Sequence, residues 1–259
     1  MSTIIYPSPI FGPVHSRRLG VSLGVNLMPE DGKVCTFDCI YCECGFNGDH
    51  IPHSKRPARE DVQSALKRVL EERHRNNEPL DVITFAGNGE PTAHPHFAEI
   101  IQDTIEARNL YFPKAKVSVL SNATFIHNEK VREALMLVDN NIQKLDTVNA
   151  EYINMIDRPT LPSYDVRKVI DNLKLFHGHV IIQTMFMTGT VDGKDVDNTS
   201  DEYVTPWIEA VKEIAPQQVM IYTIDRETPA HGLRKASHEV LDSIKRKIER
   251  EGITCSASY

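Results

Sequence analysis

Cys35-Thr36-Phe37-Asp38-Cys39-Ile40-Tyr41-Cys42-Glu43-Cys44 carries four of the chain's five cysteines within ten residues; the fifth, Cys255, lies near the far end. An odd set this crowded does not read as a disulfide framework; it reads as a metal site or a redox centre. Its position decides the fold, because it follows the first apolar run, 20–27. Two further unusual segments also follow apolar runs: Gly87-Asn88-Gly89-Glu90-Pro91-Thr92 after 81–86, and Ser121-Asn122-Ala123-Thr124 after 116–120. Loops that leave the same ends of successive strands converge on one face only when the strands curve into a barrel, and sites are built on that face.

Working outward, short runs rich in Val, Ile, Leu, Phe and Thr recur at 20–27, 81–86, 116–120, 144–148, 180–187 and 218–223. Several are apolar on both faces, as expected of parallel strands covered on both sides. Amphipathic stretches lie between them. Over 57–76, Val62, Ala65, Leu66, Val69 and Leu70 keep helical spacing, with Pro57 suited to a first turn. Ile100, Ile101 and Ile105 mark another helix, as do Val131, Ala134, Leu135 and Val138. So do Val166, Val169, Ile170 and Leu173; Trp207, Ile208 and Val211; and Val240, Leu241, Ile244 and Ile248. Six βα units follow one another with no linker. Periodicity alone fits a doubly wound open sheet or a partial barrel; the converging loops favour the barrel. The polar stretch 188–202 reads as a mobile lid or a solvated insertion.

The chain has 259 residues, 41% of them apolar, enough for a sizeable core. With 29 Lys and Arg against 36 Asp and Glu, the formal charge is −7, which disfavours general binding to nucleic acid or anionic membranes. No apolar run reaches the roughly 18 residues needed to span a bilayer. The N-terminus lacks a basic region followed by an apolar core, so a cytoplasmic location is expected.

Two metal chemistries compete for the cysteine loop. Zinc sites usually take two ligand pairs separated by a dozen or more residues; here there is no second CxxC, and only His50 and His53 lie nearby. A cubane iron–sulfur cluster takes thiolates from one tight loop. Cys35-x3-Cys39-x2-Cys42 supplies three ligands for four irons and leaves one iron open to a substrate or cofactor. Cys44 is a spare thiol or a fourth ligand.

This spacing resembles that of the radical S-adenosylmethionine (SAM) superfamily, with an aromatic residue, Tyr41, immediately before the third cysteine. The resemblance extends over about 11–226. Phe11-Gly12-Pro13-Val14-His15-Ser16-Arg17-Arg18-Leu19-Gly20, followed by Ser22-Leu23-Gly24-Val25-Asn26, is similar to the opening of the subgroup related to wyosine-base synthases of tRNA. Thr84 to Thr92 is similar to its second signature. Leu145-Asp146 and Ile156-Asp157-Arg158-Pro159 are similar to a third.

The resemblance implies an α/β fold, a partial (β/α)6 barrel of mainly parallel strands. It implies a single domain over 1–259, with a core at about 20–224 and a C-terminal helix and tail at 225–259. It implies that Cys35, Cys39 and Cys42 ligate a [4Fe–4S] cluster. Gly87, Asn88, Gly89 and Glu90 would hold the methionine amine of SAM; Ser121 and Asn122 its carboxylate or ribose; Asp146 and Gln183 its ribose; Tyr41 and Tyr222 its adenine. His15, Arg17 and Arg18 would bind a phosphate or carboxylate of the substrate. The implied reaction is reductive cleavage of SAM and hydrogen abstraction, with electrons from flavodoxin or ferredoxin. The substrate implied first is a nucleobase or RNA base. The alternatives are a small molecule, or a partner protein given a glycyl radical; from another class altogether, the chain is a non-catalytic zinc or iron–sulfur module. The sequence departs from the wyosine synthases in lacking a second cysteine trio.

Overall fold

The computed structural model describes residues 3–16 and 20–259. β1 (Ile10–Ser16) and β2 (Gly20–Val25) form an antiparallel pair at one sheet edge. After β2 the chain makes a long excursion through the cysteine loop before α1 (Arg59–Arg75), then β3 (Val82–Phe85). A 3₁₀ turn (Pro91–Ala93) and α2 (Phe97–Tyr111) lead to β4 (Lys116–Ser121), and α3 (Glu129–Leu137) to β5 (Asn140–Lys144). α4 (Ala150–Ile156) and α5 (Val166–Lys174) precede β6 (Ile181–Met185). A hairpin of β7 (Met187–Val191) and β8 (Lys194–Asp195) precedes α6 (Asp201–Ile214) and β9 (Gln218–Tyr222). β10 (Leu233–Lys235), α7 (His238–Arg250) and β11 (Cys255–Ser258) complete the chain.

The main sheet runs in the order β1-β2-β3-β4-β5-β6-β9-β11, and every pair after β1–β2 is parallel. This order separates the two architectures that periodicity left open. A doubly wound sheet reverses direction at a switch point. Here each strand is added on the same side as the last, so right-handed crossovers place all helices on one face and the sheet curls into a partial barrel. Outward-facing Leu23, Val25, Ile83, Phe85, Val117, Val119, Ile182, Val219 and Ile221 join the helices in one large apolar core. The alternate residues line the inside, where Ser22 meets Thr84 at 2.8 Å and Asn140 donates to Ser118 at 2.8 Å.

Three expectations change. The fourth predicted strand, 144–148, forms instead at Asn140–Lys144, so Asp146 stands two residues beyond its end. The sequence Asn140-Asn141-Ile142-Gln143 hid this strand, because its polar side chains find partners in the folded sheet: Asn140 donates to Ser118 on β4 at 2.8 Å, Asn141 to the His179 carbonyl at 2.9 Å, and Gln143 to Asn141 in the same strand at 2.6 Å. The run 180–187 splits at Phe186 into β6 and β7. The stretch 188–202 is built into the fold rather than a bare solvated insertion. Its hairpin joins β10 in a second sheet, and Val191 and Val196 pack with Ile40, Tyr152 and Ile156. Beyond the six expected strands, β11 extends the parallel sheet and β1 covers its first edge. Among the described residues no helix is long and apolar enough to cross a membrane.

The sheet joins the cysteine loop most closely at Gly89. Its φ is +144°, it pairs with Val34 in an isolated parallel bridge, and an added Cβ would lie 1.8 Å from the Val34 carbonyl oxygen. Gly89→Ala is expected to cost about 2–3 kcal/mol through backbone strain and this clash, lowering the thermal midpoint by roughly 5–10 °C for a chain this long. A melt followed by circular dichroism checks this, and an unmoved midpoint refutes it.

Candidate active site

The cysteine loop has almost no secondary structure of its own, so its backbone groups need outside partners. Val34 N–H donates to the Asn88 carbonyl at 2.9 Å, and Glu90 N–H to the Val34 carbonyl at 3.3 Å, joining the loop to the end of β3. Asp38 N–H donates to the Asp157 carbonyl and Ile40 N–H to the Ile156 carbonyl, both at 2.9 Å, joining it to the end of α4. Thr160 N–H donates to the Thr36 carbonyl at 2.8 Å. Asn122, after β4, donates to Thr36 Oγ1 at 2.8 Å and to the Cys35 sulfur at 3.6 Å. The separate sequence motifs around 87–90, 121–122 and 156–159 thus meet around the cysteines.

All five cysteines are free thiols. Burial pushes the Cys35 thiol up to about 12 and Cys39 well above its ordinary value. Cys42 differs: the Cys44 thiol hydrogen-bonds to it and, with the Lys33 ammonium, holds it down at about 6. Cys44 is itself buried, with its sulfur 3.4 Å from the Gly87 carbonyl. The three sulfurs of Cys35, Cys39 and Cys42 interact electrostatically with one another and with Lys33. Among the described residues no three His, Cys, Asp or Glu side chains close around a single ion position. A cubane offers each thiolate its own iron, so its ligands do not meet at a point; the trio of soft sulfurs suits such a group.

Deeper in the mouth, Asp146 is 4% exposed and Asp157 2%. Lys144, at the end of β5, lies between them, bonded to Asp146 Oδ2 and 2.8 Å from Asp157 Oδ1. Burial disfavours its charge, but the two carboxylates outweigh that and hold the ammonium well above its usual range. Asp146 Oδ2 also accepts from the Tyr41 hydroxyl, and its Oδ1 from Met185 N–H at 3.0 Å. Asp157 lies 3.6 Å from the Cys39 sulfur. Tyr41, Asp146 and Lys144 therefore form one network that reaches Cys39 through Asp157. Gln183 pairs with Lys144 across β5–β6, and Tyr222 pairs with Met185 across β6–β9, so both stand at the same end of the inner face.

The Gly87–Glu90 segment is firmly held. The Asn88 side chain is fully buried and spans to the Tyr6 backbone and the Pro29 carbonyl at 2.8 Å each. Glu90, 2% exposed, accepts from Thr92 N–H at 3.0 Å and Asn122 N–H at 2.6 Å, with Ser121 also bonded. Burial raises its carboxyl above the usual range against the pull of those donors. Glu90 thus ties the loop after β3 to the loop after β4.

His15 is not brought to this mouth. It is exposed on β1 opposite Val21, at the far end of β2. Arg17 and Arg18 lie outside the described residues. Sequence reasoning passed over Lys33, Lys144 and Asp157 as site members. For Lys144 the available signal was a lysine two residues from an aspartate at the end of a strand. Lys33 had only its place two residues before Cys35.

Comparison with known proteins agrees with this geometry. Residues 30–202, about two thirds of the chain, match the family described as the Radical SAM superfamily. A UPF0026 protein of Helicobacter pylori (strain J99) is 28% identical over 236 residues, covering 90% of this chain and 71% of that protein. A Brachyspira hyodysenteriae protein named GTPase Obg is 28% identical over 245 residues, 93% of this chain; the chain spans 33% of its length. The solved structure of TYW1 with a lysine-pyruvate adduct superposes with a TM-score of 0.63 at 14% identity, over 90% of this chain and 75% of that one, a likeness of fold. With that match, the stitched cysteine trio and the partial barrel, the chain is a member of the radical SAM superfamily, and so an enzyme.

Proposed function

We propose that Cys35, Cys39 and Cys42 hold a [4Fe–4S] cluster and that the barrel mouth binds SAM against it. The observation that carries this reading is the convergence of three thiols, from a loop fastened to the Gly87–Glu90 edge, within a chain of this superfamily. When bound, the pair supplies reductive cleavage of SAM to methionine and a 5′-deoxyadenosyl radical, which takes a hydrogen atom from the substrate.

The chain's own residues bind, orient and shield. The edge from Gly87 to Glu90 receives the methionine ammonium, as carbonyl and carboxylate oxygens accept such donors well. Glu90 itself sets the spacing between two loops. Ser121 and Asn122 serve the methionine carboxylate or the ribose. Asp146 and Gln183 serve the ribose hydroxyls, with Lys144 and Asp157 fixing the Asp146 carboxylate. Tyr41 and Tyr222 border the adenine. The hairpin of β7 and β8, packed on Ile40, shields the loop from water. The substrate class this reading tests first is a nucleobase or RNA base, supported by the resemblance around Phe11–Gly20 and the fold shared with TYW1. The single cysteine trio separates it from wyosine synthesis itself. A low-potential donor such as flavodoxin or ferredoxin supplies the electron.

Anaerobic reconstitution is expected to give one four-iron cluster per chain with a broad visible band. Cys35→Ala, Cys39→Ala and Cys42→Ala lose it, and dithionite-driven release of methionine and 5′-deoxyadenosine from SAM disappears with it. Cys44→Ala largely keeps the cluster. Eight irons per chain, or a cluster lost only with Cys44, overturns the assignment. Asp146→Ala is expected to remove a charged hydrogen bond of about 1.5–3 kcal/mol, weakening SAM about tenfold to a hundredfold with the cluster spectrum intact. Asp146→Asn, which keeps an acceptor, does less harm. Equilibrium binding to the reconstituted protein measures both, and unchanged affinity in the Ala variant removes Asp146 from the site.

A further inference from the structure

Lys33 is 3% exposed, an unusual place for an ammonium. Its position is fixed from both ends. Lys33 N–H donates to the His50 carbonyl at 2.9 Å, and the next residue is bound to Asn88. Its Nζ donates to the Gly45 carbonyl at 2.6 Å, and Gly45 N–H is in turn bonded to the Cys42 carbonyl at 2.9 Å. The side chain therefore spans the cysteine loop from its start to just past its third cysteine. The ammonium thus sits one carbonyl away from the turn that Cys42 closes.

Its counter-charge is thin. The nearest carboxylate is Asp38, 3.6 Å away and partly in solvent, and Asp38 also accepts from Asn47 N–H at 2.6 Å. A neutral carbonyl and one shared carboxylate compensate a buried ammonium poorly. The further negative charge at this place is what Cys35, Cys39 and Cys42 would bring as thiolate ligands, since the Lys33 side chain lies across the loop that carries them. Lys144, on the Cys39 side, makes the contrast. It lies between two buried carboxylates, so its charge is spent within its own network. Lys33 has no such buried pair of carboxylates, so its field falls on the loop that carries the cysteines.

We propose that Lys33 sets the electron affinity of the centre held by Cys35, Cys39 and Cys42, acting as a positioning charge that favours the reduced state. This inference rests on the reading that these cysteines hold a four-iron cluster. Three thiolates around such a cluster already carry net negative charge, and one-electron reduction adds another. A fixed cation at short range in a low-dielectric pocket stabilises the added electron more than the state before it. The electron comes from an external low-potential donor; no bond is made or broken, and Lys33 stays protonated throughout.

The test compares wild type, Lys33→Met, Lys33→Gln and Lys33→Arg, reconstituted anaerobically at one pH and ionic strength. Iron content is measured, then the fraction reduced against solution potential, by loss of visible absorbance and by electron paramagnetic resonance. At the potential where half the wild-type cluster is reduced, Lys33→Met and Lys33→Gln are expected to show a reduced-to-oxidised ratio at least tenfold lower, equal to about 59 mV for one electron. Lys33→Arg stays within threefold of wild type. A fully loaded Lys33→Met or Lys33→Gln cluster whose ratio is unmoved overturns the Lys33 inference alone. If both neutral variants fail to take up iron while Lys33→Arg does, the residue serves assembly and the inference is overturned. A wild-type chain that takes up no iron overturns the reading of the cysteine trio, and the Lys33 inference with it.

Discussion

The structure depends on how an irregular loop satisfies its backbone. Residues 33–47 carry the cysteines and turn too sharply for helix or strand, yet they lie against the barrel mouth, where unpaired N–H and C=O groups are costly. Their partners come from the ends of β3, β4 and α4. Val34 pairs at Asn88 and Glu90, Thr36 meets Asn122 and Thr160, and Asp38 and Ile40 pair at Asp157 and Ile156. Each contact point is the carboxyl end of an element, where a parallel sheet presents its loops. The barrel is thus the frame that holds one loop rigid, and rigid placement of three sulfurs is what a cluster requires.

The same packing makes the mouth electrostatically dense. The Lys33 ammonium and the carboxylates of Glu90, Asp146 and Asp157 are buried within reach of the cysteines or their supporting loops, with the half-buried Lys144 ammonium between two of them. Breaking a buried pair typically costs about 3–5 kcal/mol, whereas an intact one stabilises little. Such groups are therefore poor candidates for pure stability, and their value lies in orientation. Lys144 and Asp146 fix Tyr41 beside Cys42. Glu90 fixes the distance between two loops. Lys33 ties the cysteine loop to itself.

Two segments far apart in sequence also bear on the mouth. Tyr6 donates to Glu43 Oε1 at 2.9 Å, and Arg226 donates to the Tyr6 hydroxyl at 2.9 Å and to Glu43 Oε2 at 2.8 Å. Glu43 lies between Cys42 and Cys44, so the segments before β1 and after β9 meet over the loop. Exposed ion pairs add little stability singly, but this one closes three segments at a single point. Asn88 repeats the device in the interior by bonding the Tyr6 backbone on both sides.

Much of this was legible in the sequence because it is local. Alternating apolar runs and helical stripes reveal βα units, since side-chain period follows directly from backbone geometry. The Cys35-x3-Cys39-x2-Cys42 spacing marks out the loop we propose for the cluster, since one short loop presents three thiols. What depended on through-space partners was hidden. β5 was misplaced by four residues because its Asn side chains are satisfied by Ser118 on β4 and by the His179 carbonyl just before β6, which no pattern along the chain records. His15 shares a motif with the site yet stands at the opposite end of the sheet, because β1 runs antiparallel to β2 and carries it away from the mouth. The hairpin after β6 looked solvated because its buried Val191 and Val196 are interspersed with charges. Lys33 and Lys144 carry no pattern along the chain that marks them, and only the folding of the loop and barrel around them brings them beside Asp38, Asp146 and Asp157 and away from most of the water that would screen their charge.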